Sequence, residues 1–191
     1  MNTEHVSSHL HAVRATIFPM PHQPLAEIVK SHREVAVCSG ADAALLHQDL
    51  YRLADGAYIA LTEGTSSFPE LAALIQECED DRNCREFRLH VTVGWEALLH
   101  LAAGKNSLRW PDIFLALKDA GVKPEEMHPF RDAPVVDIFP WLYYAKRFDV
   151  LRKLCLSVKR KLDMRFAARD IRTVCHLIGD FGGGKIVASS L

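Results

Sequence analysis

Phe87-Arg88-Leu89-His90-Val91-Thr92-Val93 alternates apolar and polar side chains and contains three β-branched residues, the pattern of a half-buried strand. Just beyond it, Trp95, Leu98 and Leu99 follow helical spacing. A helix is therefore predicted over 95–103, and strand and helix both stay open for 87–93. The same ambiguity holds for Val35 to Cys38, which either continue a helix begun near Pro24, with Leu25, Ile28 and Val29 on one face, or turn into a short strand before Ser39 and Gly40.

The other segments read as helical. From Ala41 to Glu63, residues Leu46, Leu50, Leu53, Ala57 and Leu61 recur at three- and four-residue intervals, the apolar stripe of an amphipathic helix. On that reading Leu50→Asp unfolds the domain, because it places an unpaired charge on the buried stripe. Ser67-Phe68-Pro69-Glu70 has capping-box spacing and predicts a helix from 69 to about 79. Pro111 and Gly121 bracket a short helix carrying Ile113, Phe114 and Leu117. A long helix over 141–165 is predicted from Leu142, Ala145, Phe148, Leu151, Leu154, Cys155, Val158 and Leu162, and Ile171, Val174, Cys175 and Ile178 extend the helical pattern. The expected fold is mainly α, a compact multi-helix bundle with room for one or two short strands. Residues 1–23 read as a flexible segment, 24–181 as a single helical domain and 182–191 as a loose C-terminal tail.

The 191 residues are 49% hydrophobic and 25% charged, which is ordinary globular composition. Five cysteines at irregular spacing argue for reduced thiols, and neither a secretory signal nor an apolar run of about 20 residues is evident. A cytoplasmic protein without membrane association is expected. The net charge is −1 but unevenly distributed: residues 1–145 hold 12 basic and 20 acidic side chains, and residues 146–172 hold 10 basic and 3 acidic. Such an asymmetry bears on association, not on fold.

Motifs that carry chemistry fail on context. His9-x-His11 lies in the N-terminal segment, and Cys78 and Cys84 lack a second pair at zinc spacing. Glu125-x-x-His128 is a single copy between Pro124 and Pro129, where a di-iron bundle needs two, and Glu96 with His100 reads as a surface pair. Gly179 to Lys185 matches the start of a phosphate-binding loop, but Ile186 stands where the magnesium-binding hydroxyl belongs. With no strand expected before it and no helix after it, the stretch reads as a glycine-rich tail. No catalytic residue and no metal ligand is assigned.

Two surface features remain. Aromatic residues crowd at Phe130, Phe139, Trp141, Tyr143, Tyr144 and Phe148, which suits either a core or an interface. Basic residues, among them Arg147, Lys153, Arg160, Arg165, Arg169 and Arg172, suit a solvated face or an acidic partner. The candidate partner-binding set is Phe130, Phe139, Trp141, Tyr143 and Tyr144 together with those six basic residues. A sequence pI of about 6.8 and the lack of a DNA-reading motif weigh against nucleic acid.

Tyr51 to Ile75 reads Y-R-L-A-D-G-A-Y-I-A-L-T-E-G-T-S-S-F-P-E-L-A-A-L-I. It resembles the helix-then-F-P-x-L-x-x-L signature of small helical partner proteins that accompany multinuclear-iron, TIM-barrel-type peptide-modifying oxidases, those of methanobactin biosynthesis in particular. The resemblance implies a subunit with no active site or cofactor of its own. It would dock on an iron enzyme, whose iron ligands belong to that partner, and help hold a precursor peptide whose cysteines are oxidised. Strands at 35–38 and 87–93 would offer an edge for that peptide. Three classes therefore stand: a non-catalytic adaptor, a basic-face module for nucleic acid or an acidic partner, and a metal enzyme with ligands scattered among ten histidines.

Overall fold

A computed structural model describes residues 25–61, 71–74, 76–77, 86–167, 170–179 and 184–191. The elements in chain order are helix α1 (Leu25–Ser31), strand β1 (Glu34–Cys38), helix α2 (Ala41–Tyr51), strand β2 (Tyr58–Ala60), strand β3 (Phe87–Val93), helices α3 (Trp95–Ala103), α4 (Trp110–Asp119), α5 (Pro124–Met127), α6 (Ile138–Tyr144) and α7 (Phe148–Arg165), and strands β4 (Ile171–Gly179) and β5 (Lys185–Ser189). The strands form one sheet in the order β2-β1-β3-β4-β5. The first four are parallel, and β5 runs antiparallel to β4.

The mainly helical bundle expected above is therefore corrected to a mixed α/β fold built on a five-stranded sheet. Phe87–Val93 and Val35–Cys38, left open in the sequence, lie in its central strands. The helical extension at Ile171, Val174, Cys175 and Ile178 is instead strand β4, buried on both faces along most of its length. A central parallel strand has no solvent side and need not alternate, so its apolar residues can fall at helical spacing by chance. Lys185–Ser189, expected as a loose tail, is the edge strand β5. A strand therefore does precede the glycine-rich stretch after Gly179, and another strand, not a helix, follows it.

The strand order explains the layering. Passing from β1 to β2 moves one way across the sheet and passing from β3 to β4 moves the other way. Right-handed crossovers then place α2 on one face and the α3 to α7 segment on the opposite face. The second face holds the main core: Val35, Val37, Leu89, Val91, Cys175 and Leu177 from the strands meet Leu98, Leu99, Leu151, Leu154, Val158 and Phe166. Asp163 on α7 ties the helix to β4, its Oδ1 accepting from Thr173 N at 2.9 Å and from Thr173 Oγ1 at 2.6 Å. The first face has a separate, small cluster of Ala36, Cys38, Ala43 and Ala44.

Two predicted helices are shorter than expected. The helix from Ala41 ends at Tyr51, where Arg52 takes a left-handed conformation (φ 49°), and the chain then becomes β2. Its buried residues are Ala43, Ala44 and His47, and Leu50 is 63% exposed. The buried face lies about one residue from the leucine stripe, because the face that meets the sheet is made of alanine and histidine. Leu50→Asp is consequently expected to change stability by no more than about 0.5 kcal/mol, contrary to the unfolding expected from sequence; a thermal melt beside the wild type checks it. The 141–165 helix is two helices, α6 and α7, parted at Ala145–Arg147, where Lys146 has φ 57° and Arg147 donates to Glu126 Oε1 at 3.2 Å and Gly121 O at 3.1 Å. The capping box at 67–70 and residues 1–23 lie outside the described residues. No helix among the described residues is long and apolar enough to cross a membrane.

Candidate metal centre

Strand register lays out the face under α2 in rows. Glu34, Arg88 and Arg172 form one row, Ala36, His90 and Val174 the next, and Cys38, Thr92 and His176 the third. Residues two apart on a strand share a face, so His90 and His176 are diagonal neighbours on adjacent strands. The helix reaches them because only Ser39 and Gly40 connect β1 to α2. Gly40, at φ 101°, supplies the sharp reversal that a side-chain-bearing residue resists. Ala43 and Ala44 are small enough to let the helix settle on Ala36 and Cys38. One turn further along, His47 projects onto the two strand histidines.

The three rings converge. His47 Nε2 lies 3.0 Å from His90 Nδ1, and His90 Nδ1 lies 3.2 Å from His176 Nε2. All three donor atoms fall within 4.8 Å of one another, and relative exposures are 0%, 3% and 0%. Burial, followed by the neighbouring His90, pushes His47 down to about 3; burial together with His47 and His90 pushes His176 down to about 3. His90 falls to about 4 through burial, with Glu34 opposing the shift and Arg88 adding to it. All three imidazoles are neutral at pH 7.

The surroundings orient the outer ring nitrogens. His47 Nδ1 is 3.4 Å from the Tyr58 hydroxyl, which accepts from Leu53 N at 3.3 Å. His176 Nδ1 is 3.4 Å from the Tyr51 hydroxyl, and the Tyr51 ring stacks on His47 at a centroid distance of 4.5 Å. Cys38 closes the third row, and burial pushes its thiol up to about 12.

A neutral imidazole carries one N–H and one lone pair. With two Nε2 atoms on a single His90 Nδ1, one proton or one lone pair must serve two partners. A cation bound by three lone pairs removes that conflict. Four-coordinate zinc holds nitrogen at about 2.0–2.1 Å, which sets tetrahedral donors about 3.4 Å apart. Two of the three separations, 3.0 and 3.2 Å, are within a few tenths of an ångström of that requirement, and the third pair lies within 4.8 Å, so the His47 and His176 rings have to draw together to hold an ion. The chemistry of the donor set suits it also, since neutral imidazole is a ligand for zinc, copper, iron and nickel.

No protein-family model, curated protein or solved structure matches the chain.

The residues singled out from sequence lie elsewhere and do not form one surface. Phe139 is buried, Phe130, Trp141 and Tyr143 are half-buried, and Tyr144 is 71% exposed. Arg147 is held by Glu126 and Asp149. Lys153 and Arg160 line a groove of about 520 Å³ between α3, α4 and α7, together with Asp112 and Asp119. Arg165 is exposed on α7, whereas Arg172 is on β4, on the α2 side of the sheet. Arg169, His9, His11, Cys78 and Cys84 fall outside the described residues. Glu125 and His128 are exposed, and His100 sits 2.8 Å from Lys105 O. His47, His90 and His176 form a cluster that sequence reasoning did not single out: they are 43 and 86 residues apart and share no local motif. The available signal was histidine inside two otherwise apolar stretches, Leu89-His90-Val91 and Cys175-His176-Leu177.

Proposed function

We propose that this chain is a metal-binding protein that holds one divalent transition ion, zinc foremost, through His47 Nε2, His90 Nδ1 and His176 Nε2. The observation that carries the reading is the convergence of three buried, neutral ring nitrogens at 3.0 and 3.2 Å. The ion would fasten α2 to β3 and β4, and in such a site binding energy is also folding energy. Three protein ligands leave a fourth position for water or a small exogenous ligand, where the ion supplies Lewis acidity.

Cobalt(II) titration of metal-free protein tests this. One equivalent is expected to produce the visible d–d bands of a four-coordinate ion. His47→Ala, His90→Ala and His176→Ala should each lose them, while His100→Ala and His128→Ala keep them. Equal cobalt binding by the first three variants and the wild type would refute the assignment.

A second reading, that of a partner subunit, draws on a different place. Tyr144 and Phe148 are 71% and 43% exposed, and Tyr143 meets both rings edge-on at 5.6 Å. Exposed aromatic groups of this kind anchor protein interfaces. In that role the chain docks on a larger enzyme, an iron oxidase acting on a precursor peptide, with the iron in the partner.

A further inference from the structure

One nitrogen at the centre lacks a partner. His90 Nε2 is buried and makes no hydrogen bond. The charged group facing it is Glu34, whose Oε2 lies 3.9 Å away. The other carboxylate oxygen, Oε1, is already engaged, accepting from Arg88 Nη1 at 2.8 Å. The ladder produces this arrangement. Glu34 and Arg88 are direct partners across β1 and β3, and His90 follows two residues along β3 on the same face. Arg88 thus holds one oxygen and leaves the second turned toward the imidazole edge.

Metal capture changes what His90 needs. The neutral ring has a single proton, and when Nδ1 gives its lone pair to an ion that proton must reside on Nε2. The ring neither gains nor loses a proton; metal binding fixes the tautomer with the proton on Nε2. A buried N–H without an acceptor is costly, and Glu34 is the acceptor within reach. We propose that Glu34 is the positioning residue of the three-histidine centre, accepting the His90 Nε2 proton and so holding the ring with Nδ1 aimed at the ion. This rests on the metal-binding reading above. The carboxylate has to close from 3.9 Å to the roughly 2.7–2.9 Å of a charge-assisted hydrogen bond. Its side chain is 41% exposed, and rotation about its torsions covers that distance. Outer carboxylates on ligand histidines typically account for 10- to 100-fold in metal affinity.

The test is zinc affinity by competition with a chromophoric chelator, together with the nitrogen-edited proton spectrum of the zinc-loaded protein. Glu34→Ala is expected to weaken zinc binding about 10- to 100-fold and to erase a slowly exchanging His90 Nε2 proton that is present in the wild type. Glu34→Gln should recover part of the affinity, because its amide oxygen accepts the same proton without the charge. A Glu34→Ala protein with wild-type affinity and an undisturbed Nε2 proton would overturn the inference. His47→Ala in the same assay separates the two levels. If it and the wild type both take up no zinc, the metal-binding reading itself fails; if the wild type binds and Glu34→Ala binds equally, only the role of Glu34 fails.

Discussion

Saturating zinc is expected to raise the melting temperature of the metal-free protein by roughly 8–16 °C. A ligand at a thousandfold excess over its dissociation constant stabilises the native state by about 4 kcal/mol, and each kcal/mol is worth about 2–4 °C at this chain length. The gain should be concentrated in α2. That helix buries only Ala43, Ala44 and His47, has Leu50 63% exposed, and rests on a cluster separate from the main core. Little apolar area fastens it, so an ion joining His47 to His90 and His176 is the strongest link it can have to the sheet. Calorimetry with and without zinc gives the shift, and amide exchange locates it. An unchanged midpoint at saturating zinc would contradict the tether.

The metal-free protein should also lose stability steeply in mild acid. Histidines in the unfolded chain take up protons near pH 6.5, but the folded protein holds His47 and His176 near 3 and His90 near 4. Above about pH 6.5 both states are neutral and the penalty is absent. As pH falls below that value the unfolded state binds up to three more protons than the native state. Stability then drops by about 4 kcal/mol per pH unit, and the penalty stops growing only when the folded rings titrate, near pH 4 and then 3. A total stability of about 5–15 kcal/mol would be spent within a few pH units. Urea midpoints between pH 6.5 and 4.5 measure the slope. His47→Phe should reduce it by about one proton, and saturating zinc should flatten it. A slope below one proton in the wild type would mean that the rings are not held neutral by burial.

Local chemistry in the sequence foretold some elements and missed their assembly. Phe87–Val93 and Val35–Cys38 are strands in the structure, and the sequence leaves both open between strand and helix, because period-two alternation or a glycine stop stands beside neighbouring residues at helical spacing. Ile171–Gly179 was not legible as a strand, since a strand buried between α2 and α7 is under no pressure to alternate and its apolar spacing passed for a helix. The register of α2 departs from the leucine stripe for the complementary reason. Leucine density marks a buried face only where the core is apolar, and the surface α2 meets carries His90, His176 and Thr92. The centre itself was illegible because its donors come from a helix and two strands far apart in the chain, and only the sheet register places His90 and His176 side by side. Glu34 is a further case, since it reads as an ordinary exposed acid until β1 pairs with β3.

Zinc-edge X-ray absorption on protein loaded with one equivalent of zinc bears most directly on the three-histidine centre. The expected spectrum has nitrogen neighbours at about 2.0–2.1 Å with the outer-shell scattering of three imidazole rings, a signature absent from His176→Ala, which does not hold the ion at this site. A first shell of sulfur or of carboxylate oxygen, or a spectrum identical in His176→Ala, would place the ion elsewhere.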